Sequence, residues 1–156
     1  MFNKVYEFEG KLITKNIEMI RTATAHWEGN LKEGKGTLST QSSILDKTNY
    51  SFKTRFEEGE KGTNPEELLA AAHAGCFTMS VASMLDKKGL IAGSLETKAT
   101  LTLEGLSITA IHLSIKGTVK GIRADELEAM VKDAEKNCII SKALKVAITS
   151  ESHFVA

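Results

Sequence analysis

The sequence predicts an α+β protein in which antiparallel sheets wrap around one long central helix. Three observations predict it. Leu68 to Leu85 carries no charged residue unless His73 is protonated, and a helix uncharged on every side belongs in a core or a membrane. That run is rich in Ala, Gly and Ser, which let other backbone approach and suit a lipid-facing surface poorly. Runs of alternating apolar and polar residues flank it on both sides, as half-buried strands do.

The central helix is expected over Asn64 to Lys88. Asn64 is a good N-cap, Pro65 suits the first helical position, and Glu66 and Glu67 put negative charge in the first turn. Asp86, Lys87, Lys88 and Gly89 close it with polar residues and a C-cap glycine. Its middle is expected to be shielded from water altogether.

The 156 residues suffice for one domain with a sizeable core. Twenty basic residues balance twenty acidic ones, so no field favours nucleic acid or an anionic membrane, and neither is expected as a partner. The opening residues mix charged and apolar side chains and do not read as a signal peptide. A cytoplasmic protein is expected, and two cysteines there point to redox or metal chemistry rather than to a permanent bridge.

Residues 1–20 read as an edge hairpin or an extension of uncertain order, and residues 21–156 as a single domain. Arg21 to Glu28 and Thr37 to Thr40 form a hairpin around a turn-rich connection. Gly29 to Lys35 has the spacing of a phosphate-binding loop, but Gly36 stands where Ser or Thr would hold magnesium, so a polar hairpin tip is the better reading. Tyr50 to Phe56 alternates as a strand, with Ser51, Lys53 and Arg55 on its wet side. Glu96 to Leu103 and Ser107 to Val119 make a second hairpin, with Ile111, Leu113 and Ile115 on one face. A surface helix follows, with an Asp125–Glu128 capping box and a stripe of Leu127, Met130, Val131 and Ala134. Residues 139–144 add about one helical turn, and Val146 to Glu151 is a last strand.

The strings TNPEELLAAAHAGCFTMS, YSFKTRFEEGEKG, AHWEGNLKEGKGTLST and AEKNCIISKAL resemble the OsmC branch of the OsmC/Ohr family of thiol-dependent hydroperoxide reductases, over residues 22 to 151. The resemblance implies a peroxidase of organic hydroperoxides and hydrogen peroxide, serving oxidative stress defence. It also implies an OsmC-like α+β fold and an intertwined homodimer with active sites at the subunit boundary. By match to the family's motifs, Cys76 is the peroxide-attacking cysteine, Cys138 the resolving one, Arg55 its activating partner and Glu66 the carboxylate that orients the arginine. The family usually carries proline after the second cysteine; here Ile139 takes that place.

The chemistry of the residues agrees. Attack on an O–O bond needs thiolate, and an ordinary thiol near pKa ~8.5 is only a few per cent ionised at neutral pH. Cys76 lies too far inside the helix to feel its dipole, and burial pushes a thiol up. A cation is required, and Arg55 is the candidate, held by Glu66 against the cost of desolvation. Glu66 precedes Cys76 by about 15 Å of helix. Either the start of the helix bends away, or a partner chain supplies the carboxylate. Sulfenic acid on Cys76 would condense with Cys138, and an external dithiol such as dihydrolipoamide would reopen the bridge, with no cofactor. Leu69, Phe77 and Met79 near Cys76 favour an apolar peroxide. Two other readings compete: a non-enzymatic dimer that binds a lipid-like ligand, and a metal site of His73, Cys76 and Cys138. A general disulfide oxidoreductase fits less well, because the cysteines are not in a C-x-x-C pair.

Overall fold

The computed structural model describes residues 3–8, 11–16, 18–57 and 59–155. They belong to two compact units, residues 1–62 and residues 63–156.

In the first unit, β1 (Asn3–Phe8) and β2 (Lys11–Asn16) pair antiparallel, the first of the two forms read for this end. A separate sheet has the order β3 (Ala23–Glu28), β4 (Lys35–Thr40), β5 (Thr48–Tyr50), antiparallel throughout. The tip between β3 and β4 is a polar turn in which the Asn30 side chain accepts from the Lys32 and Glu33 amides. Gly36 faces Trp27 on one side and Tyr50 on the other, whose rings lie 5.5 Å apart. A Cβ on Gly36 would overlap both rings, so this glycine serves ring packing.

The expected strand over Tyr50 to Phe56 is not formed. β5 ends at Tyr50, and α1 (Phe52–Phe56) takes the rest. The cause is local: the Ser51 hydroxyl accepts from the Thr54 amide at 3.1 Å, and the Thr54 hydroxyl accepts from the Ser51 amide at 2.8 Å. This reciprocal cap starts a helix. The same spacing that mimics strand alternation puts Phe52 and Phe56 one turn apart, with ring centroids at 4.8 Å.

The second unit is built on α2 (Pro65–Lys87). Its start follows the expectation, with Asn64 Oδ1 accepting from the Glu67 amide at 2.8 Å. At its end Gly89 takes φ +70°, while the Gly89 and Leu90 amides return to the Asp86 and Leu85 carbonyls, a Schellman closure that needs this glycine. The sheet has the order β6 (Ala92–Glu104), β7 (Ser107–Val119), β8 (Ala147–Val155). β6 and β7 form the expected antiparallel hairpin, but β8 joins β7 in parallel register, Ala110 to Ala147 through Thr118 to Val155. β8 thus adds one parallel pair to sheets whose other pairings are antiparallel, as expected. A parallel pair needs a long crossover, and α3 (Ala124–Asn137) and α4 (Ile139–Ala143) supply it.

The core joins Phe77, Val81 and Leu85 of α2 to Ile111, Leu113, Ile115 and Val119 of β7 and Leu127, Met130, Val131 and Ala134 of α3. The apolar stripes read on β7 and α3 are the buried ones. Each fully buried side chain of this size contributes about 1.5–3 kcal/mol. The capping box expected at α3 is absent. The helix begins after Arg123, whose guanidinium grips Asp125 at 2.8 and 3.0 Å, and Glu128 accepts instead from Ser152.

The helix α2 is long and apolar enough to cross a membrane by length and composition. Within this chain its buried stripe, His73, Phe77, Val81 and Leu85, lies inside the second unit. The expectation that its middle is shielded on every side is corrected. Ala71, Ala72, Gly75, Met79, Ala82 and Ser83 form an exposed uncharged face, and Met79 is 74 % exposed.

Candidate active site

At about 100° per residue, Cys76 falls between the buried stripe of α2 and its exposed face, and it is half-buried accordingly. Cys138 stands at the junction of α3 and α4, serves as N-cap of α4, and is 3 % exposed. The tight turn there aims the start of α4 at α2. The Ile140 amide, two residues beyond Cys138, donates to Cys76 Sγ at 3.5 Å, and the Cys138 thiol is close enough to act on Cys76 electrostatically. Two cysteines 62 residues apart in the chain therefore share one site, and both are free thiols.

The environment raises the Cys76 pKa. Burial is the largest cause and the neighbouring Cys138 thiol adds to it, while the Ile140 and Ile139 amides pull the other way without prevailing. Ile139 matters here, because a proline in its place has no N–H to give.

Around Cys138 lies a chain of polar contacts that sequence reasoning did not connect. Ser141 donates its amide to Cys138 Sγ at 3.3 Å, and its hydroxyl lies 3.0 Å from the same sulfur. That hydroxyl is also 2.8 Å from His73 Nε2. His73 is fully buried, and burial lowers its pKa, so the ring is neutral at pH 7. The spacing of Cys138 and Ser141, N-cap to third helical residue, was the available signal for one half of this cluster. His73 is one turn before Cys76 on the same helix, which was the signal for the other.

The remaining expected residues are Glu66 and Arg55. Glu66 is half-buried in the first turn of α2. The helix is continuous from Pro65 to Lys87, so no bend brings Glu66 back, and the separation of about 15 Å along the axis from its own Cys76 stands. Arg55 belongs to the first unit, where it is exposed on α1, not on a strand, with its guanidinium carbon 5.2 Å from the Phe56 ring centre. Of the apolar residues expected beside Cys76, Phe77 is committed to the core and Met79 to the exposed face. Leu69, two turns earlier on the Cys76 side of the helix, is half-buried. Among the described residues no group of three or more His, Cys, Asp or Glu side chains is placed to hold a metal, and His73 Nε2 is occupied by Ser141.

Comparison with known proteins bears on this arrangement. Residues 58–153 match the family described as OsmC-like protein. The chain is 46 % identical over 129 residues to Peroxiredoxin OsmC of Escherichia coli, covering 80 % of this chain and 90 % of that one. It is 36 % identical over 129 residues to the organic hydroperoxide resistance protein OhrA of Bacillus subtilis, covering 78 % and 86 %. Among solved structures, an OsmC-like protein from Mycoplasma pneumoniae superposes with a TM-score of 0.70 at 16 % identity, over 90 % of this chain and all of that one. Another from Vibrio cholerae gives 0.68 at 18 % identity, over 87 % of this chain and all of that one; at such identities the likeness speaks to fold alone. Sequence match over most of the chain and shared α+β fold agree: this chain belongs to the family of OsmC-like proteins.

Proposed function

We propose that the chain is a thiol-dependent peroxidase that reduces organic hydroperoxides, and hydrogen peroxide, through a two-cysteine cycle. One observation carries the reading: the start of α4, which holds Cys138, packs on Cys76 through the Ile140 amide, so that two free thiols distant in sequence are neighbours. The relatives named peroxiredoxin and organic hydroperoxide resistance protein support the same class.

In the first step the Cys76 thiolate attacks the peroxide O–O bond, which breaks to leave sulfenic acid on Cys76 and the alcohol of the substrate. Cys138 then attacks that sulfur, forming the disulfide and releasing water. An external dithiol such as dihydrolipoamide reopens the bridge by exchange, and no cofactor takes part.

Because its surroundings raise the Cys76 pKa, the first step needs a cation beside the sulfur. Arg55 fills that role in this reading, with Glu66 as the carboxylate that holds it. The continuous helix between Glu66 and Cys76 favours a carboxylate from a second copy, and hence a homodimer with its sites at the boundary. The exposed, uncharged face of α2 supports the same arrangement, since a face of that kind is ordinarily covered by a partner. A reducing cytoplasm, where dithiol reductants are available, is the compartment that suits this cycle.

The test is peroxide consumption driven by dithiothreitol or dihydrolipoamide, with thiols counted after one equivalent of cumene hydroperoxide. The expected result is loss of two thiols per chain in the wild type, no turnover in Cys76→Ser, and in Cys138→Ser a single event followed by inactivation. Equal activity in all three proteins would overturn the cycle. Retention of both thiols would favour a dimer that merely binds an apolar ligand.

A further inference from the structure

The buried imidazole on α2 has no part in the cycle above, yet its geometry ties it to the resolving cysteine. His73 Nε2 is 2.8 Å from Ser141 Oγ, which is 3.0 Å from Cys138 Sγ. The other ring nitrogen, Nδ1, is buried with no hydrogen-bond partner among the described residues. That orphan fixes the tautomer. A buried N–H without an acceptor is rarer and costlier than a buried acceptor without a donor, so the proton of the neutral ring sits on Nε2 and Nδ1 is bare.

The direction of the remaining contacts follows. His73 Nε2–H donates to Ser141 Oγ, which leaves the serine's own proton free to point at its other neighbour, Cys138 Sγ. The Ser141 amide donates to the same sulfur at 3.3 Å. The Cys138 sulfur accepts the Ser141 amide and lies 3.0 Å from the hydroxyl of the same residue, whose proton the imidazole leaves free to turn toward the sulfur. The lowered proton affinity of the buried ring keeps the relay in this neutral, donating form.

We propose that His73 and Ser141 are positioning residues for the resolving step: His73 orients the Ser141 hydroxyl, and Ser141 holds the Cys138 sulfur in place for its attack on oxidised Cys76. This rests on the peroxidase reading. The Cys138 thiolate attacks the Cys76 sulfur, the S–S bond forms as the S–O bond breaks, and the departing hydroxide takes up the proton that Cys138 gave up and leaves as water. Cys138 is oxidised from thiol to disulfide, and Cys76 is reduced from sulfenic acid to disulfide. No other reactant enters.

Among the described residues, Cys138 Sγ meets the Ser141 hydroxyl on α4, which in turn meets His73 on α2, and the Cys76 thiol on α2 is its titratable neighbour. The test follows both steps after one equivalent of cumene hydroperoxide. Quenched samples are weighed intact, so that sulfenic acid and disulfide are timed separately. Loss of a hydrogen bond to a charged sulfur predicts that Ser141→Ala slows disulfide formation by about tenfold or more and leaves sulfenic acid formation at Cys76 unchanged. His73→Leu should do the same. His73→Gln, which keeps an N–H toward Ser141, should recover most of the rate. Disulfide formation at the wild-type rate in Ser141→Ala overturns the proposal, as does a His73→Gln protein no faster than His73→Leu. In the unmodified protein, ring nitrogen chemical shifts should report a protonated Nε2 and a bare Nδ1, and the opposite tautomer overturns it without any variant. A wild type that forms no sulfenic acid at all removes the peroxidase reading, an outcome distinct from a changed second step.

Discussion

Replacing Ile139 with proline, the residue usual in the family at this place, separates two effects that most substitutions mix. Ile139 is the first residue of α4 and 80 % exposed, so its side chain contributes little packing. Cys138 before it already has φ −62° and ψ 148°, a conformation that a following proline tolerates. The variant should therefore fold, and it should gain about 0.4–1 kcal/mol from the stiffer unfolded chain. What it loses is the Ile139 N–H, one of two amides that oppose the rise in the Cys76 pKa caused by burial. A hydrogen bond to a buried charge is worth about 1.5–3 kcal/mol. For a half-buried sulfur with a second donor at 3.5 Å, a discounted loss of about 1 kcal/mol is reasonable, which lowers reactivity about fivefold. The sign is fixed: the Cys76 pKa moves further up, and the thiolate fraction at neutral pH falls. The assay is the rate of iodoacetamide alkylation of Cys76 across pH in a Cys138→Ser background, read beside the urea midpoint. Unchanged alkylation at pH 7 in a protein of equal or greater stability would refute the assignment of that amide to the sulfur.

Gly36→Ala should destabilise the protein by about 1–3 kcal/mol in urea unfolding, because the added methyl must displace the Trp27 and Tyr50 rings. Glu135→Gln should cost about 1–2 kcal/mol, since Glu135 accepts from Ser150 at 2.6 Å and Lys132 at 3.0 Å between α3 and β8. Burial raises the Glu135 pKa, but these donors together outweigh it and leave it low; its stabilisation is therefore present above the ordinary carboxylate range and is lost as pH falls through the lower folded value. The acid limb of a stability–pH curve should flatten in the variant. Ala72→Cys, made with both native cysteines changed to serine, should cross-link two chains on mild oxidation if the uncharged face of α2 meets its own copy. A protein that stays monomeric under oxidation counts against that contact.

What the sequence made legible was whatever depends on neighbours in the chain. Asn64, Pro65 and Gly89 bound α2 because caps are local hydrogen-bond problems. The stripes of β7 and α3 were readable because burial imposes its period on the sequence. The failures share a cause. Tyr50 to Phe56 satisfies period two and an i, i+4 pair at once, and Ser51 and Thr54 decided between them through a cap. The parallel placement of β8 depends on how two helices carry the chain back across the sheet, which no window of residues contains. The cysteine pair was legible through resemblance, but the Ser141–His73 contact was not. It joins residues 68 positions apart, and neither side chain alone differs from an ordinary core polar group.

In the proposed dimer, the position of Glu66 along α2 bears on where two copies would cross. If a second copy crosses α2 about a two-fold axis, residues equally spaced about the crossing point lie level with one another. Glu66 and Cys76 are equally spaced about position 71, where Ala71 and its neighbour Ala72 are small and exposed. Side chains of that size allow helix axes to approach at the near end of about 8–10 Å. A crossing at this point puts the partner's α2 start beside Cys76, and it leaves each helix's own start about 15 Å away. The small residues of α2 thus sit midway along the axis between Glu66 and Cys76, while around the axis Glu66, seven residues before His73, falls on the side of the buried stripe. A crossing farther along, near Met79 or Ser83, would cover the same apolar face but carry Glu66 past Cys76, so the register of contact, and not burial alone, is what this reading of the site requires.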